Sequence, residues 1–170
     1  MSKDKFQLKM KTLLQVFLAT ALLTFLTTSR AESDIEQVSG VLDELHSQAS
    51  QANFTEYFNL YAPDAVFIGT DADEVWSISE FKAYAKPHFD KGTGWTYLPR
   101  DRHIYFSPDH QVAWFDELLD NKKLGETRGT GVLIKTDNQW KISQYHLTIP
   151  IPNNLATDIA EQIKKHHTKK

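Results

Sequence analysis

The sequence predicts an α+β domain, with N-terminal helices packed on one face of a curved antiparallel sheet. Two observations carry this. Apolar residues recur at helical spacing from Ile35 to Tyr61, and from Gln111 to Pro152 aromatic and β-branched residues dominate, broken only by short polar turns. A third sets the scale. The 170 residues, less a removable leader, leave about 140, enough for one domain with one core.

Residues 1–31 read as that leader. A basic start (Lys3, Lys5, Lys9, Lys11) precedes an apolar run from Leu13 to Leu26 and a Ser29-Arg30-Ala31 exit, the three parts of a secretory signal peptide cleaved after Ala31. Gln15, Thr20 and Thr24 interrupt the run and leave it short for a membrane span; an uncleaved anchor is the alternative. The chain has no cysteine, which excludes a lipid-modified cysteine and any disulfide. A periplasmic or secreted protein is expected, free of the membrane after cleavage.

Ser33-x-x-Glu36 forms a capping-box pattern, followed by Ile35, Val38, Val41, Leu42 and Leu45 on a helix ending near Gln51. Asn53-x-x-Glu56 opens a second, shorter helix, stopped before Pro63. Residues 65–68 read as a strand. The loop 69–76 carries Asp71, Asp73 and Glu74 but lacks the glycine and terminal glutamate of a calcium loop. Ser77 or Ser79 begins a third helix through Phe81, Tyr84 and His88, strained by Pro87, and 95–97 and 102–106 read as strands. Three long strands follow over 111–119, 126–134 and 140–149. Pro150 and Pro152 close the last one, and Leu155, Ile159 and Ile163 stripe a final helix. The resulting division is a leader (1–31), a domain (32–153) and a C-terminal helix with a basic tail (154–170).

Net charge is -3, and the basic residues concentrate in the leader and in the tail from Lys164 to Lys170. The acidic body argues against nucleic acid as a partner. There is no metal-binding His-Glu-x-x-His, no Gly-x-Ser-x-Gly and no phosphate-cradling glycine loop. Neither a metal nor a cofactor is expected.

Register decides which polar residues share a face. Side chains alternate along a strand, so Asp116 and Glu117 cannot both enter one pocket. A three-residue loop Asp137-Asn138-Gln139 sets Ile134 opposite Ile142, Val132 opposite Gln144, Thr130 opposite His146 and Arg128 opposite Thr148. That register gathers Arg128, Thr130, Gln144 and His146 above an apolar floor and leaves room for the Tyr145 ring opposite Gly131. A two-residue loop Asp137-Asn138 would slip the pairing by one. With a turn near Asn121-Lys122-Lys123, Asp116 falls opposite Arg128, either as a cross-strand ion pair or as a ligand-facing pair.

The stretch Leu60-Tyr61-Ala62-Pro63-Asp64-Ala65-Val66, the helical opening and the hairpin closing on Trp140-Lys141-Ile142 resemble the nuclear transport factor 2-like superfamily. Within it the chain looks like SnoaL-like domain proteins, especially an exported bacterial group with Gly69-Thr70-Asp71-Ala72, Trp114-Phe115-Asp116-Glu117, Arg128-Gly129-Thr130-Gly131 and Pro150-Ile151-Pro152-Asn153. The resemblance implies a cone, a bent sheet wrapped around helices with a pocket inside, and commonly a homodimer across the sheet's outer face. Ketosteroid isomerase, a relative, has its general-base aspartate where this chain has Gly69 and its oxyanion-hole tyrosine near Leu45 or His46, so that chemistry is not implied; Asp71, two residues on, is a candidate. The association domain of calmodulin-dependent kinase has a pocket arginine near Asp116, where the charge here is opposite.

Fold alone licenses no single function. The first expectation is a homodimer binding a small organic molecule, with Asp71, Trp76, Trp95, Trp114, Thr130, Gln144 and Tyr145 in contact with it. The second is a lyase, isomerase or cyclase in which Asp116 or His146 moves a proton while Arg128 steadies negative charge. The third is a structural oligomerisation module.

Overall fold

The computed structural model describes residues 33–168. The leader and the last two lysines lie outside the described residues. Helix α1 runs over 33–50, α2 over Phe54–Asn59 and α3 over Ile78–Phe89. The strands are β1 (Tyr61–Ile68), β2 (Val75–Ser77), β3 (Leu98–Phe106), β4 (Val112–Asn121), β5 (Gly125–Thr136) and β6 (Gln139–Thr148), and α4 spans Ala156–His167. They form one six-stranded sheet in the order β2-β1-β6-β5-β4-β3. Every pairing is antiparallel except β1 with β6, which is parallel. Among the described residues no helix is long and apolar enough to cross a membrane.

Helix α1 buries Asp34, Val38, Leu42, Leu45, His46 and Ala49, a stripe at the three- and four-residue spacing of one helical face. Ile35 is exposed and Asp34 takes the inward place, its carboxylate accepting from Lys135 Nζ (2.7 Å) and pairing with His110 Nδ1 (3.1 Å). Helix α2 begins after Asn53, whose side chain does not cap it; Asn53 Nδ2 donates to Gln48 Oε1 instead, at 2.6 Å. Helix α3 is closed by a true capping box, with Ser77 and Glu80 satisfying each other's backbone N–H groups. Pro87 falls in its last turn, where one forfeited backbone bond is tolerated and the helix stops two residues later.

Two stretches differ from the sequence expectation. Residues 95–97 form no strand; the Trp95 ring is held by aromatic contact with Phe89 (5.0 Å between centroids) and Tyr57 (5.9 Å), so ring packing fixes this segment. Strand β1 starts earlier than expected and includes Pro63, at the register shift between Tyr61 and Val66. A proline has no N–H to give the ladder, and an irregularity is where a sheet can hold one.

The β5–β6 hairpin corrects the loop and keeps part of the register. Asp137 and Asn138 both have positive φ (51° and 60°), the pattern of a two-residue type I′ turn, whose twist matches that of the strands it joins. Leu133 therefore faces Ile142 and Ile134 faces Lys141, replacing the expected Ile134–Ile142 pair. A bulge between Val132 and Leu133 then absorbs one residue, and beyond it Val132–Gln144, Thr130–His146 and Arg128–Thr148 pair as expected. On the other side of β5, Asp116 faces Thr130, and Leu118 takes the place opposite Arg128 that was expected of Asp116.

Candidate functional site: an aromatic cavity with a buried histidine–glutamate pair

Strand β4 alternates strictly. Ala113, Phe115, Glu117 and Leu119 are buried and face the helices, while Trp114, Asp116, Leu118 and Asp120 face outward. The inward acid is thus Glu117, with no exposed surface at all. A buried carboxylate needs partners, and this one has two. Arg102 Nε donates to Oε2 at 2.7 Å, and His46 Nε2 lies 2.7 Å from Oε1. Since a carboxylate only accepts, Nε2 carries the shared hydrogen and Nδ1 is left with a lone pair when the ring is neutral.

His46 is also part of the wall of a cavity of about 310 Å³ between the helices and the sheet. Its sides are rings: Tyr57, Phe67, Trp76, Phe81, Tyr84, Trp95, Tyr97 and Tyr145. Several lie nearly parallel. Phe67 stacks on Phe81 (3.8 Å, 15°) and on Tyr145 (5.8 Å, 10°), and Trp76 on Tyr84 (4.7 Å, 26°). Thr70 and Glu74 from the β1–β2 loop and Lys123 and Leu124 from the β4–β5 turn add to the lining, with Leu45 and Ala49 of α1 and Leu147 of β6.

The Tyr145 ring is buried beside this pair, its centroid 6.5 Å from that of His46. Burial and then the negative charge of Glu117 push its hydroxyl well above the ordinary phenol range, so it remains a proton-bearing donor at neutral pH. Gly129 makes room for it. A Cβ there would meet the Tyr145 hydroxyl at 2.5 Å and Glu117 Oε1 at 3.2 Å. Tyr145 does pair with Gly131, but its ring reaches over Gly129, and the space at Gly131 is taken by the Phe115 ring and the Gln144 carbonyl. The space above Gly69 is likewise filled, by the Glu74 carboxylate.

The residues singled out from sequence divide between two faces. Trp76, Trp95 and Tyr145 line the cavity. Asp116, Arg128, Thr130, Gln144 and His146 do share one face, but it is the outer face of the sheet, because the inward positions of β5 and β6 are Thr127, Gly129, Gly131 and Leu133 with Tyr145 and Leu147. Asp116 there pairs with His103 Nδ1 at 3.2 Å. Trp114 is outward and 45% exposed, stacked on Tyr105. Asp71 is exposed in its loop, accepting from the backbone N–H of Asp73. Among the described residues no group of three His, Cys, Asp or Glu is arranged to hold a metal.

The sequence profile of the SnoaL-like domain matches residues 38–152. This chain belongs to the SnoaL-like domain family. Solved structures agree on its fold. A candidate dehydratase of the nuclear transport factor 2-like family from Streptomyces avermitilis is 13% identical, with 71% of this chain and 99% of that one covered at a TM-score of 0.60. A candidate scytalone dehydratase from Novosphingobium aromaticivorans is 12% identical, covering 73% and 89% at 0.60. A domain of unknown function with a cystatin-like fold from Nostoc punctiforme is 13% identical, covering 81% and 93% at 0.63. At these identities the likeness is one of fold. No curated protein matches the chain.

The inward polar groups of this SnoaL-like domain that sequence reasoning passed over are His46, Arg102 and Glu117. Each carried a signal. Glu117 shares parity with Ala113, Phe115 and Leu119, His46 continues the Val38–Leu42–Leu45 face, and Arg102 shares parity with Ile104 and Phe106.

Proposed function

We propose that this SnoaL-like domain binds a small organic molecule in its aromatic cavity and moves a proton on it, a lyase- or isomerase-type reaction. His46 is the base, Glu117 orients its imidazole, and the Tyr145 hydroxyl donates a hydrogen bond to the oxygen that gains charge or leaves. The observation carrying this reading is the 2.7 Å His46–Glu117 contact on the wall of a cavity lined largely by rings. Burying an ionisable pair costs desolvation, and an imidazole held by a carboxylate on the wall of a cavity has the geometry of a general base with its orienting group. That two fold relatives are described as candidate dehydratases is consistent with it.

The reading places the chemistry at His46 and leaves Asp116, Arg128 and His146 to the outer face. That face carries the Tyr105–Trp114 stack, exposed apolar surface of the kind a homodimer would cover. Export follows from the leader pattern of residues 1–31.

The test is a panel of proton-transfer substrates, β-hydroxy carbonyl compounds for water elimination and β,γ-unsaturated ketones for isomerisation. His46→Gln should lose about 10²- to 10⁴-fold in kcat, as removal of a general base does. Full turnover in that variant would sink the reading. The same purified material, examined by light scattering and N-terminal sequencing, should give twice the monomer mass and a mature chain beginning at Glu32.

A further inference from the structure

Strand β3 changes face part-way along. Arg100 lies opposite Leu118 and His103 opposite Asp116, both outward residues of β4. In a regular strand positions 100 and 103 would face opposite sides. The register shift between them inserts one extra residue, and Asp101 sits there with φ of +48°, a left-handed conformation that a residue with a side chain adopts under strain. Arg100 remains outside with Asp101, Asp120 and Glu126. Beyond the shift the strand alternates regularly, so Arg102 lies on the inward side with Ile104 and Phe106, which pack against the core. The bulge lets Arg100 face outward and Arg102 inward although only one residue separates them.

What the inward guanidinium touches is specific. Nε donates to Glu117 Oε2 at 2.7 Å, and one terminal nitrogen donates to Asp43 Oδ1 at 2.7 Å and to the Ser39 carbonyl at 3.2 Å. The second terminal nitrogen is buried with no hydrogen-bond partner among the described residues. Asp43 and His46 stand one turn apart on α1, so the rigid fork fixes Glu117 relative to the helix that carries His46. Burial works against the charge of Arg102, but Glu117 and Asp43 outweigh it, and the guanidinium stays cationic. A buried ion pair with one nitrogen unsatisfied is a poor device for stability alone.

We propose that Arg102 is a positioning residue for the His46–Glu117 pair. The inference rests on the reading of His46 as the base, and its test needs no substrate. In the wild type, proton NMR should show a low-field imidazole N–H of His46, slow to exchange because it is hydrogen-bonded to Glu117. Arg102→Met should lose that resonance. Arg102→Lys keeps a cation against Glu117 and supplies a folded comparison; it should retain the resonance with roughly tenfold faster exchange, the equivalent of one charge-assisted hydrogen bond. A folded Arg102→Met protein with the resonance unchanged would overturn the proposal, as would wild-type exchange in Arg102→Lys. Full turnover in His46→Gln would instead overturn the catalytic reading and leave the NMR result standing.

Discussion

Gly129→Ala is the smallest change that reaches the centre of the site. The added methyl would sit 2.5 Å from the Tyr145 hydroxyl, 3.1 Å from its Cζ and 3.2 Å from Glu117 Oε1. The hydroxyl must therefore retreat by about 1 Å to reach ordinary contact. The ring cannot do this freely, since Tyr145 is buried and stacked on Phe67 at 5.8 Å and tilted against Phe115 at 5.9 Å. Overpacking of this kind costs about 1–3 kcal/mol. Alanine in place of glycine on a strand returns about 0.4–1 kcal/mol through the unfolded chain, because Gly129 is not among the positive-φ residues. The net expectation is a loss centred on about 1.3 kcal/mol, or roughly 3–5 °C in Tm for a domain of this size. The assay is thermal unfolding by circular dichroism, with tyrosine fluorescence reporting the displaced phenol. An unchanged or higher Tm would refute the reasoning, because it would mean that the ring moves at no cost and that the site is not held by packing.

Two further outcomes follow from the pairing of charged residues. Burial would raise the Asp34 carboxyl, but Lys135 and His110 outweigh it and hold it below the usual carboxylate range. A carboxyl depressed by folding contributes stability that is fully present above its unfolded value, about 3.9, and is lost as pH falls through the folded value. Urea unfolding of the wild type and Asp34→Asn should therefore differ by about 1–3 kcal/mol at neutral pH and converge well below pH 4; a gap that persists at pH 2 would contradict the sign. Asp116→Asn removes the outward partner of His103, an exposed pair with a value of about 0.2–1 kcal/mol. It should leave turnover in the cavity unchanged, and a tenfold loss would return Asp116 to the site.

The sequence by itself determined the fold class, the long hairpins and most of the α1 face, because each is a local periodicity or a turn signal repeated over many residues. The pairing of Thr130 with His146 came out as expected only because the bulge between Val132 and Leu133 offset a turn one residue shorter than expected. The sequence also required that only one of Asp116 and Glu117 face inward. Which one was decided by the tertiary structure, since parity gives the alternation but not its absolute sense. A group of polar residues on one strand face looks the same whether that face lines a pocket or meets solvent. The burial of Glu117 against His46, seventy-one residues away in sequence, settled the sense. Arg102 shares the inward parity of Ile104 and Phe106, but that its guanidinium meets Glu117, fifteen residues on in sequence, was decided by the pairing of β3 with β4.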